Sequence, residues 1–135
     1  MAEFVMKDLV KKAGAEACFE IASAATSSEE IGNPVYPPAR RELARHGISC
    51  AGHAARRIVR EDYARYDYLI GMDRANLGNM RRLWDGDPDK KVHALLEFAG
   101  RPGEDVADPW YTGDFEVTWR DVLSGCQGLA KKILP

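Results

Sequence analysis

Stretches of helical and of strand-like periodicity alternate along this chain, and that alternation narrows the fold more than any other feature. Residues 1–13 place Ala2, Met6, Leu9 and Ala13 at i, i+4, i+7 and i+11, with Val5 beside them, the spacing of one helix face. Gly14 supplies a stop. Residues 18–24 (CFEIASA) predict a short strand with Phe19 and Ile21 on one face, and residues 26–38 are turn chemistry, rich in Ser and Pro. A helix is predicted over 38–46, ended by His46-Gly47, then a helical turn over 61–66. The run YDYLIGM at 66–72 is the strongest strand, and Asp73 reads as the N-cap of a helix over 74–83. A turn at 85–89 leads to a third strand at 92–98 (VHALLEF) and a long surface loop over 99–114. Helical spacing returns from about Phe115 to Leu134 through Val117, Val122, Leu129 and Ile133. Such an order predicts an α/β fold with a mostly parallel sheet. Sheets of that kind bind ligands outside the carboxyl ends of their strands, so chemistry is to be sought in 24–32, 72–76 and 99–114.

The remaining features exclude more than they assign. The 135 residues suit a single domain, 1–135, with one core. A net charge of −2 makes no electrostatic case for nucleic acid or an anionic membrane. Apolar runs such as 69–72 are too short to span a bilayer, and MAEFVMKDLVKKAG, with Glu3 and Asp8 in it, does not read as a signal peptide. Cys18, Cys50 and Cys126 have neither disulfide-framework nor metal-ligand spacing. A cytoplasmic protein without metal or other cofactor is expected.

Several motifs fall in one order. Met1-Ala2-Glu3 is followed by Ser23-Ala24 with Gly32 and Pro34, by His46-Gly47-Ile48, and by Gly52-His53-Ala54-Ala55-Arg56. Then come Asp67-Tyr68-Leu69-Ile70 with Met72-Asp73 and Asn76-Leu77, and finally Asp108-Pro109-Trp110-Tyr111 with Gly113-Asp114. In order and spacing this resembles the low-molecular-weight protein tyrosine phosphatases over nearly the whole chain. The resemblance implies a three-layer αβα fold around a parallel sheet and hydrolysis of phosphotyrosine or small aryl phosphates through a cysteinyl-phosphate. It gives Asp108 the role of general acid, and makes Trp110 and Tyr111 the wall of the phosphotyrosine slot. Ser23, His53 and Asn76 would steady the phosphate loop through hydrogen bonds, although His53 also fits a plain structural contact. The family's substrate-flanking aromatics are replaced by Glu29-Glu30-Ile31, and its Asp-Pro-Arg stretch by Tyr36-Pro37-Pro38.

The family's nucleophile lies in a loop of pattern Cys-x5-Arg-Ser/Thr between its first strand and first helix, where a thiolate and backbone amides at a helix N-terminus meet the phosphate. Met1 aligns inside that helix, so the resemblance implies a chain that is N-terminally truncated relative to the family. It lacks the first strand and the phosphate loop, and is inactive by itself. Cys50 to Arg56 satisfies Cys-x5-Arg, but Arg57 follows it and no apolar strand precedes it. A pseudophosphatase interaction module is the rival reading, and an arsenate reductase-like protein a more distant one. The family's first strand lies between the second and third. Without it, strands 18–24 and 66–72 are expected either to pair directly or to exchange elements with a second copy, giving a homo-oligomer, most simply a dimer.

Overall fold

The structure, a computed structural model, describes residues 1–26, 37–50, 56–107 and 115–134. Its elements are α1 (Ala2–Lys12), a 3₁₀ turn (Glu16–Cys18), α2 (Pro37–Arg45), α3 (Asp62–Arg65) and β1 (Leu69–Gly71). They continue with α4 (Arg74–Leu83), β2 (Val92–Ala94), a 3₁₀ helix (Leu95–Ala99) and α5 (Phe115–Ile133). β1 and β2 pair in parallel, with Leu69 opposite Val92 and Gly71 opposite Ala94.

Side chains alternate across this small sheet, as strand geometry requires. Leu69 and Val92 join Met80 and Trp84 in one apolar cluster, beneath α4 and with Tyr63 of α3 against it. Ile70 and Met72 pack instead on the larger cluster formed by Val5, Met6 and Val10 of α1, Leu43 of α2, Leu95, and Trp119, Val122, Cys126 and Leu129 of α5. The fold is therefore α/β, with helices on both faces of a parallel sheet. The imidazole of His46 stacks on the Trp119 indole, 3.7 Å between centroids, and fastens the end of α2 to α5. The buried carboxylate of Glu42 accepts a hydrogen bond from Arg45 at 3.0 Å and lies 3.2 Å from His46 Nε2.

Three sequence expectations need correction. The strand over 18–24 is not formed. Its first residue ends a 3₁₀ turn, and the rest makes no ladder. Among the described residues the bridge beside this stretch is that of Ala25, in parallel, to Arg57. A strand exists through its partner, and among the described residues β1 pairs with β2 alone; direct pairing of 18–24 with 66–72 does not occur. Phe19 and Ile21 still pack against the larger core cluster, so the apolar signal was real although the ladder is missing. The strand over 92–98 stops at Ala94, because the Glu97 carboxylate accepts the Ala94 amide at 2.8 Å and turns the chain into the 3₁₀ helix. Finally, Val117 is 36% exposed and outside the core. The buried face of α5 is Thr118, Asp121, Val122, Gly125 and Leu129, with Trp119, Cys126 and Ala130 beside it.

Candidate functional site

The carboxyl end of β1 is where the described parts of three connecting segments converge. β1 ends at Gly71, where an added Cβ would lie 2.9 Å from Leu77 Cδ2 and 3.3 Å from Asn76 Cβ, so the first turn of α4 sits close against the strand end. Asp73 caps α4 as its sequence position predicts, accepting the Asn76 amide at 2.8 Å. Asn76 then turns back, its Oδ1 accepting the Met72 amide at 3.1 Å. Its Nδ2 reaches Thr26 Oγ1 at 3.4 Å, and Asn79 Nδ2 reaches the same hydroxyl at 3.2 Å.

That hydroxyl closes the second segment, Ser23–Thr26. At its start the Ser23 hydroxyl donates to Glu3 Oε1 at 2.5 Å, while Lys7 donates to Glu3 Oε2 at 2.5 Å. The Glu3 carboxylate sits on the inner side of α1, 8% exposed. One short stretch of chain is thus tied to α1 through Ser23 and to α4 through Thr26. Of the residues expected to steady a phosphate loop, Ser23 and Asn76 both belong to this hydrogen-bonded rim.

The third segment, 105–107, is pinned at each residue. Asp105 Oδ1 accepts the Arg74 amide at the start of α4, 3.1 Å. The Val106 amide donates to Met72 O at 2.9 Å. Ala107 is held on both sides, its amide donating to Asp121 Oδ2 at 3.0 Å and its carbonyl accepting the Thr118 hydroxyl at 2.7 Å. Asp121 Oδ1 in turn receives Arg101 Nη1 at 2.9 Å. Arg101 also donates to Glu104, and the hydrogen bonds with Glu104 and then Asp121 raise its pKa above the usual guanidinium value.

Asp108, Trp110, Tyr111 and His53 lie outside the described residues. The flanks of both segments are visible. Cys50 is buried in the main core, and Arg56 forks onto Asp62 at 3.0 and 3.3 Å, so its guanidinium is committed to a carboxylate. Burial pushes the Asp62 pKa up, but the hydrogen bonds from Arg56 and the Val59 amide outweigh it and leave the carboxyl below its usual value. Among the described residues, no group of His, Cys, Asp and Glu could hold a metal ion, and no helix is long and apolar enough to cross a membrane.

Sequence reasoning quoted Glu3 in a motif without giving it a role, and missed Thr26, Arg101, Thr118 and Asp121. One trace of them was available. Asp121 stands four residues after Val117 and eight before Leu129, on the apolar face that the sequence predicts, and a charge on such a face needs a partner.

The family model for low molecular weight phosphotyrosine protein phosphatase matches residues 1–134. The chain is 34% identical to the low molecular weight protein-tyrosine-phosphatase YfkJ of Bacillus subtilis, over 98% of this chain and 86% of the relative. It is 35% identical to the low molecular weight phosphotyrosine protein phosphatase of Rattus norvegicus, over 98% and 85%. The crystal structure of YfkJ superposes with a TM-score of 0.92, covering 98% of this chain and 84% of that one. That of SP-PTP from Streptococcus pyogenes gives 0.86 at 34% identity, covering 99% and 83%. A parallel α/β fold with a polar rim at the carboxyl end of β1, and a sequence match from one end to the other, place the protein: the chain belongs to the low molecular weight phosphotyrosine protein phosphatase family.

Proposed function

We propose that this chain supplies the leaving-group side of a phosphotyrosine or aryl phosphate monoesterase site. Asp108 protonates the phenolic oxygen as the phosphoryl group moves to a cysteine thiolate. Its carboxylate then takes a proton from the water that hydrolyses the cysteinyl-phosphate to inorganic phosphate. Trp110 and Tyr111 flank the aromatic ring of the substrate, and Ser23, His53 and Asn76 hold the phosphate loop. The observation that supports this reading is the sequence Asp108-Pro109-Trp110-Tyr111, directly after a segment pinned to the carboxyl end of β1. The thiolate and the oxyanion-binding arginine belong to a Cys-x5-Arg-Ser/Thr loop that is not among the 135 residues, and these residues alone do not turn over substrate.

The test is hydrolysis of para-nitrophenyl phosphate. The 135-residue polypeptide should show no turnover above background. The same residues preceded by a relative's first strand and Cys-x5-Arg-Ser loop should be active, and Asp108→Asn should then lower kcat by ~10²–10⁴-fold. Turnover by the 135 residues that Cys50→Ser abolishes would refute the assignment. The proposal extends to assembly in the cytoplasm as a single-domain homodimer. Among the described residues β1 has a neighbour on one edge only, and an unpaired strand edge recruits another strand. Light scattering at micromolar concentration showing a monomer would refute that part.

A further inference from the structure

We infer that Asp121 is a positioning residue for the Asp108 segment, working with Thr118 and Arg101; this rests on the reading of Asp108 as general acid. Asp121 does not touch the reacting atoms in this scheme. It acts through Ala107, the residue joined by a peptide bond to Asp108. A peptide unit has one donor and one acceptor at each residue, and α5 takes both from Ala107, through Asp121 Oδ2 and the Thr118 hydroxyl. These two side chains stand three residues apart on α5, so they meet the same residue from adjacent turns of one rigid helix.

The design is costly unless it has a use. Asp121 is 8% and Thr118 7% exposed, and a carboxylate at such a place needs charge compensation and hydrogen bonds. Arg101 supplies the charge to Oδ1, leaving Oδ2 for the amide. The two preceding residues are fixed by other elements: Val106 by Met72 at the end of β1, and Asp105 by the first amide of α4. Three independent elements thus define the position and direction from which the chain enters the Asp108 segment. A general acid must lie within hydrogen-bond reach of the atom it protonates, and a fixed stem removes part of the conformational freedom that would otherwise spread the carboxyl over many positions.

Amide hydrogen exchange by NMR on the 135-residue protein tests this without requiring turnover. Asp121→Ala and Thr118→Val should each accelerate exchange at Ala107, by about 10–100-fold for the loss of the charged acceptor. The α5 core amides of Val122 and Leu129 should keep their parent rates, since the opening is local. Thr118→Ser, which keeps the hydroxyl, should restore the parent behaviour. The carboxyl-carbon titration of Asp108 gives the second readout: its midpoint should move in Asp121→Ala and Thr118→Val and return in Thr118→Ser. Unchanged exchange at Ala107, acceleration spread evenly along α5, or an Asp108 midpoint that stays fixed in both variants would overturn the inference. Failure of Asp108→Asn to lower kcat would overturn the acid assignment instead, so the two failures are distinguishable.

Discussion

Replacing Gly128 with alanine should destabilise the protein, and the same replacement at Gly78 should stabilise it. Both glycines lie in helices, Gly128 in α5 and Gly78 in α4. Alanine gains ~1 kcal/mol over glycine in a helix interior at either place. What differs is the neighbour. A Cβ on Gly128 would lie 1.8 Å from the Phe98 carbonyl oxygen and 2.6 Å from its carbon. An acceptable contact between carbon and a carbonyl oxygen is about 3.3 Å, so α5 and the 3₁₀ helix must separate by roughly 1.5 Å. The obstructing atoms are backbone and have no rotamer to escape into. Overpacking of this kind costs up to ~3 kcal/mol or more, which outweighs the propensity gain and leaves about 2 kcal/mol of net loss. For a domain of this size that is a fall of roughly 8 °C in Tm. At Gly78 the nearest atom is Arg82 Nη1 at 3.6 Å, the far end of a flexible side chain in ordinary contact, so the gain of up to ~1 kcal/mol survives. Urea denaturation followed by circular dichroism measures both. A Gly128→Ala protein as stable as the parent would show that α5 does not rest directly on the Phe98 backbone, and would refute the packing argument.

Acid stability should depend on Asp87. Burial pushes its carboxyl up, but hydrogen bonds from the Tyr63 hydroxyl at 2.6 Å and the Lys91 and Val92 amides at 2.8 and 3.1 Å outweigh that and hold its pKa below the usual value. A carboxyl depressed on folding stabilises the native state above its unfolded pKa of about 3.9 and loses that contribution as pH falls through the folded value. Asp87→Asn should therefore be less stable at pH 7 and show a flatter loss of stability below pH ~4; parallel acid limbs for the two proteins would count against it. The cysteines should separate by reactivity. Burial pushes the Cys126 thiol up to about 12, whereas Cys18 is exposed. Native protein at pH 8 should lose Cys18 to iodoacetamide within minutes and keep Cys126, as mass spectrometry of the digested protein reports; rapid native alkylation of Cys126 would contradict its burial.

Local chemistry determined a good part of this protein in advance. The helices at 2–12, 37–45, 74–83 and 115–133 fall within a residue or two of their expected bounds, because each carries an amphipathic period and the first three also carry a stop or a cap. The Asp73 cap needed only Asn76, three residues away. Ordered motifs carried the family as well, since residue types at fixed intervals survive where composition says nothing. Tertiary structure decided the rest. Phe19–Ala24 has a strand's composition, but a ladder is a property of two segments, and no partner strand stands beside it among the described residues. The inward face of α5 could not be read from apolar periodicity. That face uses Thr118 and Asp121 to meet a backbone carbonyl and amide, and Gly125 and Gly128 to admit Leu95 and Phe98. A polar or small residue on an inner face is uninterpretable until its neighbour is known. The hydrogen-bonded rim has the same character: Glu3 with Ser23, Thr26 with Asn76, and Ala107 with Asp121 are pairs far apart in sequence. Each residue in such a pair announces only that it can donate or accept. Which partner it finds is set by how the helices and the small sheet pack together.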